Sequence, residues 1–228
     1  ILCLSGFISA IGTVMLPKVS RMTRMKQMDA VKRHIRLSME LVMCMVCAMA
    51  FGLAAVAVNF APLFYGDDFA YSGTLMMPLA FTLLSIGFAN VIRTQWVLPQ
   101  GRDTIFVHSV LTGAVINLIA NFVLIPPFGA MGAAAATVLA EFSVPAVQFV
   151  YLRKELPYAQ YLKTTGVYCL FGLVMAGAVA LLGHVLPLHG WWKLAVQVTG
   201  GAAVYGALCL TYWKLAKRSD IFRLMRRK

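Results

Sequence analysis

Residues 95–141 read QWVLPQGRDTIFVHSVLTGAVINLIANFVLIPPFGAMGAAAATVLAE. The stretch contains the end of one apolar helix, a short polar turn, a full apolar helix, a Pro-Pro-Phe-Gly hairpin and the first half of another helix. Inside those helices sit Asn117, Asn121 and Glu141. Lipid chains offer such groups no hydrogen-bond partner, so the helices either bury them against each other or line a polar cavity with them.

Working outward, the chain has 228 residues, of which 61% are hydrophobic and 12% charged. A soluble domain carries about 25% charged residues, so too few are present to coat a globule. With a mean hydropathy of +0.80, the expected class is an all-α, polytopic integral membrane protein. The net charge of +12 does not point to nucleic acid, because the basic residues fall in loops between apolar runs. There they report topology and contact with anionic lipid headgroups. No charged leading region or small-residue cleavage site accompanies the apolar run at Ile1, so it is read as part of a longer chain and not as a signal peptide. Of the five cysteines, Cys44 and Cys47 spell CxxC within an apolar helix. Without a second pair or a nearby His they read as small apolar residues.

About 20 apolar residues span a bilayer, and the chain offers about seven candidate transmembrane helices: 1–16, 37–64, 74–97, 105–125, 130–151, 164–186 and 191–213. All of the 20 Lys and Arg residues except Lys193 fall on one side of this arrangement. The positive-inside rule then places the C-terminal tail in the cytoplasm. The basic connection 17–36 is expected to start where Pro17 stops the first helix. It reads as an amphipathic surface helix, either a sliding linker or a topology-fixing loop.

Polar residues inside the spans are the candidate site. Pro78 and Gly87 weaken the third span, which also carries Asn90, Arg93 and Gln95. Arg93 either snorkels to the headgroups or faces a central cavity and holds an anion. Asn117 and Asn121 stack on one helix face with Gly113, a pattern suited to close packing or to cavity lining. Gly129, Gly132, Ala133 and Ala136 let a neighbouring backbone approach the fifth span. Glu141 sits near the middle of that span, followed by Pro145 and Gln148. A carboxylate at that depth is costly unless paired, protonated or hydrated, so Glu141 is either structural or couples ion movement. Tyr168, Tyr205, Trp191, Trp192, Tyr212 and Trp213 read as an interfacial aromatic belt. No Walker, HExxH or GxSxG motif and no metal-ligand cluster occurs, so catalytic residues, metals and cofactors are expected to be none.

The order and spacing of several motifs then carry a resemblance. They are Leu16-Pro17-Lys18-Val19-Ser20, the Leu63–Phe69 run LFYGDDF, QWVLPQG at 95–101, the 117–132 run NLIANFVLIPPFGAMG with its alanines, and Glu141. Across roughly the first 155 residues they resemble the C-terminal half of oligosaccharide flippases of the polysaccharide-biosynthesis family, in the multidrug/oligosaccharidyl-lipid/polysaccharide exporter superfamily. The resemblance implies the C-terminal lobe of a MATE-like two-lobe transporter, with residues 1–155 in the core and 156–228 forming an extra helix pair and a basic tail. It also implies a missing N-terminal lobe and a multi-pass protein of the bacterial inner membrane. The cargo would be a polyprenyl-diphosphate-linked oligosaccharide moved by alternating access, with a proton or sodium gradient coupled to it and polysaccharide polymerase or assembly proteins as further partners. On that reading Arg93 meets the diphosphate, Asn90, Gln95, Asn117, Asn121 and Gln148 bond sugar hydroxyls, and Glu141 couples the ion. A MATE-type multidrug or cation antiporter is the alternative; a membrane glycan enzyme or a purely structural envelope protein are more distant ones.

Overall fold

A computed structural model describes residues 2–185 and 190–215; the side chains at 2–5, 7–9 and 11 are outside that description. The described residues are helical, with no strand. The elements are α1 (Leu2–Arg24), α2 (Met28–Tyr65), α3 (Ala70–Ala80), α4 (Thr82–Ile92), α5 (Asp103–Leu152), α6 (Tyr158–Val185) and α7 (Gly190–Leu215). Five stretches are long and apolar enough to cross a membrane: α2, the broken helix Asp67–Gln100, α5, α6 and α7.

The first correction concerns Pro17. It does not stop α1, which continues to Arg24. A proline is tolerated inside an apolar helix when neighbouring groups take up the freed carbonyl. The break comes at Lys26, whose φ is 57°, with Lys26 N–H donating to Thr23 O (2.9 Å) and Gln27 N–H to Met22 O (3.1 Å). Met28–Arg36 is therefore no separate surface helix. It forms the first turns of the same 38-residue helix as the second span.

α2 is the hub. Ile35, Met39, Met43, Val46 and Ala50 are fully enclosed, and α1, α3, α4, α6 and α7 all pack against it. In lipid this assembly draws on close packing and hydrogen bonds more than on water exclusion. Gly172 of α6 is one place where small size is required, since a Cβ there would run into the Phe51 ring.

The third span is broken where the sequence weakens it. α3 ends one residue past Leu79, two after Pro78, and α4 begins at Thr82, whose hydroxyl donates to Leu79 O (2.7 Å). After α4 the chain widens into a π-turn at Arg93–Val97 and tightens into a 3-10 turn at Leu98–Gln100. Such wide turns re-aim side chains and are common at functional sites.

α5 is 50 residues long and folds back on itself. Gly129, at φ 56° and ψ −132°, is non-helical, a conformation open to glycine and strained for other residues. Gly132 then lies against the Leu124 carbonyl, Gly113 against Ala140 and Val144, and His108 Nδ1 meets Tyr151 OH at 3.1 Å. These pairings define two antiparallel arms, 103–128 and 130–152, that pack on α3 and α4. The Pro-Pro-Phe-Gly hairpin thus falls where the sequence placed it.

The second correction concerns the aromatic residues. Tyr168, Tyr205 and Trp213 are buried, whereas Trp191 and Trp192 are exposed. Tyr168 OH donates to Glu40 Oε1 (3.2 Å), Trp213 Nε1 donates to Tyr168 OH (2.9 Å) and Tyr205 OH donates to Cys44 O (2.7 Å). Nearby, Asn59 Nδ2 donates to Gln197 Oε1 (3.3 Å) and Gln197 Nε2 to Val179 O (3.2 Å). The last two spans are therefore tied to α2 by polar bonds that their own sequences do not announce. Cys44 faces Cys209 and Cys47 faces Cys169, each at 3.7 Å between sulfurs, as free thiols.

Candidate functional site

A cavity of about 700 Å³ lies between α4 and the two arms of α5. Each wall follows from helical spacing. α4 and its π-turn contribute Ile86, Ala89, Asn90 and Arg93, the i, i+3, i+4, i+7 face. The first arm presents Gly113, Asn117 and Asn121, and the second presents Thr137, Glu141, Val144 and Gln148. The arms can approach because a Cβ at position 113 would already sit 3.1 Å from Val144 and 3.3 Å from the Ala140 carbonyl.

At one end, Arg93 Nη2 donates to Asn90 Oδ1 (2.9 Å), and the guanidinium stands 5.0 Å from the centre of the Phe106 ring. A cation over an aromatic face is held in place while its outward donors remain available. Arg93 Nε is buried and has no hydrogen-bond partner, and the same is true of Gln148 Oε1, although Gln148 is only 1% exposed. Thr94 Oγ1 donates to Asn90 O (2.7 Å), which steadies the turn. Along the first arm Asn121 Nδ2 donates to Asn117 Oδ1 (2.8 Å), leaving the second lone pair of that oxygen and the other amide groups able to meet a ligand. Glu141 is half-buried, and its backbone carbonyl accepts a short bond from Ser85 Oγ that fastens the second arm to α4.

Six of the seven residues singled out in the sequence border this one cavity: Asn90, Arg93, Asn117, Asn121, Glu141 and Gln148. Gln95 does not. It is 1% exposed, lies outside the lining, and neither side-chain amide atom has a hydrogen-bond partner. Two residues beyond Arg93 on a helical path, it faces the opposite way. Thr137 and Phe106 were not anticipated. Thr137 lies one turn before Glu141 on the same face, a signal present in the sequence; Phe106 joins through the register between helices, which is not.

The foot of the hairpin is clamped. Arg102 Nη1 reaches both Glu155 oxygens (2.8 and 2.7 Å), and Trp96 Nε1 donates to Glu155 Oε2 (2.9 Å). Burial pushes the Glu155 carboxyl up, but the bonds from Arg102 and Trp96 and the nearby Lys32 outweigh it and hold it below the usual carboxylate range. The clamp joins the two ends of the hairpin to the π-turn that carries Arg93. No group of three or more potential metal ligands occurs among the described residues.

Comparison with known proteins fits this geometry. The profile of a family described as "Lipid II flippase MurJ" matches residues 2–198. A Haloferax volcanii protein named as a low-salt glycan biosynthesis flippase, Agl15, is 22% identical over 90% of this chain and 43% of its own length. A Shigella dysenteriae protein named as an O-antigen transporter is 22% identical over 56% of this chain and 31% of its own. A solved structure of lipid II flippase MurJ in an inward closed conformation superposes with a TM-score of 0.77 at 17% identity, over 93% of this chain and 45% of that one. The chain thus spans less than half the length of these relatives. The profile match across most of its residues shows that this multi-pass membrane chain belongs to the MurJ flippase family.

Proposed function

We propose that the protein containing this chain flips a lipid-linked oligosaccharide across the membrane by alternating access, and that the cavity between α4 and the α5 hairpin receives part of the polar head. One observation carries the reading: seven polar or charged side chains from three helical segments converge on a single cavity inside membrane-spanning helices. Such groups are expensive in lipid and are kept where they meet a substrate or an ion. Arg93 supplies the fixed cation for a phosphate group. Asn90, Asn117, Asn121 and Gln148 supply amide donors and acceptors for sugar hydroxyls. Glu141, without a full counter-charge in lipid, is the group that couples an ion. Gln95, within the π-turn but facing away from the cavity, takes a supporting role.

Family membership and the names of the relatives support a transporter over an enzyme, and a lipid-linked glycan over a drug. In this reading α1 and the two arms of α5 count separately and the chain makes seven passes. Residues 1–155 belong to the transport core, residues 156–228 add a helix pair, and the C-terminus lies in the cytoplasm, as the charge asymmetry argues. The partners follow the cargo: membrane lipids, the remaining lobe and glycan-assembly proteins.

The test uses the full-length gene in a deletion strain, with lipid-linked oligosaccharide measured on each leaflet. Accumulation on the inner leaflet, relieved by wild type but not by Arg93→Ala or Glu141→Ala at equal membrane levels, is expected. Normal glycan display together with altered drug or cation tolerance would replace the flippase reading with an antiporter.

A further inference from the structure

A second cavity, of about 440 Å³, lies away from the first and is lined by Asp29, Lys32, Arg33, Arg36, Leu37 and Pro157. Its walls are the first turns of α2 and the turn that joins α5 to α6. Three cations face one carboxylate, so the rim keeps a positive balance. Lys32 Nζ stands 5.9 Å from the Trp96 ring centre, which holds the ammonium near the rim. The one acid of the adjoining turn, Glu155, is hydrogen-bonded by Arg102 and Trp96 and only in electrostatic reach of Lys32, so Arg33 and Arg36 keep the rim positive. Behind the rim, Tyr161 is 1% exposed and its hydroxyl has no hydrogen-bond partner.

What lies beyond the rim decides the ligand. Leu37 is followed at one-turn intervals on the same helix face by Leu41 and Met45. Leu37 and Leu41 are half-buried and Met45 is 40% exposed. The charged pocket therefore continues directly into an apolar track along α2. A free anion would use the pocket alone, whereas an amphiphile with an anionic head and acyl tails uses both. The pocket also sits where the polar turns of α2 give way to its apolar run, the place on a spanning helix where headgroups are expected.

We propose that this pocket binds the phosphate headgroup of an anionic phospholipid, with Lys32, Arg33 and Arg36 as its cationic contacts and the Leu37–Leu41–Met45 face as the seat of an acyl chain. The site is separate from the α4–α5 cavity, and its occupation does not depend on the flippase reading. Its place beside the Trp96–Glu155 clamp means that the bound lipid braces the foot of the hairpin.

The experiment is lipid retention by the full-length protein in detergent, read by native mass spectrometry during titration with dioleoyl phosphatidylglycerol or dioleoyl phosphatidylcholine. Wild type should retain one phosphatidylglycerol more tightly than any phosphatidylcholine. Each basic side chain near the surface is worth about fivefold in affinity, so Lys32→Ala/Arg33→Ala/Arg36→Ala should weaken that copy by more than about tenfold. All three side chains are exposed, so the variant should elute as wild type on size exclusion. Asp29→Asn removes the opposing charge and should tighten retention about threefold, a gain that misfolding cannot mimic. Equal retention by wild type and the triple variant, or equal retention of the two lipids, would overturn the proposal. Displacement by inorganic phosphate alone at equal concentration would show a free-anion site and overturn the lipid assignment. No transport is read in this assay, so its failure and that of the flippase reading are distinguishable.

Discussion

Two regions of this chain place polar side chains at membrane depth and treat them differently. Where α6 and α7 meet α2, Glu40, Tyr168 and Trp213 form a chain of bonds, and Asn59 and Gln197 form another. Glu40, Tyr168 and Gln197 are nearly inaccessible there. Where α4 meets the α5 hairpin, Arg93, Asn117, Asn121 and Glu141 border an open volume, and Gln148 and Arg93 keep buried polar atoms without partners. At these five residues the cost of a polar group in lipid is answered by pairing within the protein, although nearer the start of α6 the Tyr161 and Thr165 hydroxyls are buried without partners. The second sets Arg93, Asn117, Asn121 and Glu141 beside a volume that water or a ligand can enter. A polar residue in a span is thus no sign of transport by itself; the proposed function rests on several of them converging on one cavity.

Breaking the contrast from the cavity side should give the largest effect. Arg93→Ala is expected to lower flipping at least tenfold, as loss of a central charge contact typically costs about 2 kcal/mol or more, while thermal stability in detergent changes little. A transport assay in proteoliposomes paired with a melting curve checks both halves. Large loss of stability with proportionate loss of transport would make Arg93 structural.

The scaffold supplies the next effect. Gly132→Leu would drive a side chain into the Leu124 backbone, and the hairpin should open at a cost of about 1–3 kcal/mol. Low membrane levels and loss of the His108–Tyr151 proximity, read by cross-linking at those positions, are expected. Normal folding would show that the arms do not need this approach.

A smaller change sharpens the paired side. Tyr168→Phe removes the donor to Glu40 and the acceptor of Trp213. An interhelical hydrogen bond in a membrane is worth about 0.6–2 kcal/mol, so melting should fall by that order while flipping per folded molecule stays the same. Reduced flipping at wild-type stability would put this network in the transport path.

The smallest effect is at the clamp. The Glu155 carboxyl lies below the usual carboxylate range in the folded chain, so its contribution to stability is present above that range and fades as pH falls through the lowered value. The side chain is 35% exposed, and solvent screening limits the effect to a few tenths of a kcal/mol. Melting curves from neutral to acidic pH should show this loss in wild type and not in Glu155→Gln. Identical pH profiles would remove the clamp from the account.

Much of this was legible in the chain itself. The Pro-Pro-Phe-Gly hairpin, the Gly113–Asn117–Asn121 stripe and the shared face of Glu141 and Gln148 all follow from spacing along one helix. The errors arose where a partner on another helix or a local break in the backbone decides. Tyr168 looked interfacial because its partner, Glu40, is more than a hundred residues away in the chain, and Trp213 joins the network through Tyr168. Gln95 looked like a cavity residue because the turn that directs Arg93 inward points its near neighbour outward. Pro17 looked like a stop because the broken backbone sits further on, at Lys26.

The contrast between an open and a sealed polar region is tested most directly by thiol labelling in the full-length protein with its native cysteines replaced by alanine. Asn117→Cys and Thr137→Cys report on the cavity; Tyr168→Cys and Val179→Cys report on the α2–α6–α7 interface. The account predicts rapid modification of the first pair by a small, membrane-impermeant methanethiosulfonate, slowed by lipid-linked oligosaccharide, and little modification of the second. Equal labelling of both pairs, or a cavity pair that stays unreactive in every condition, would contradict it.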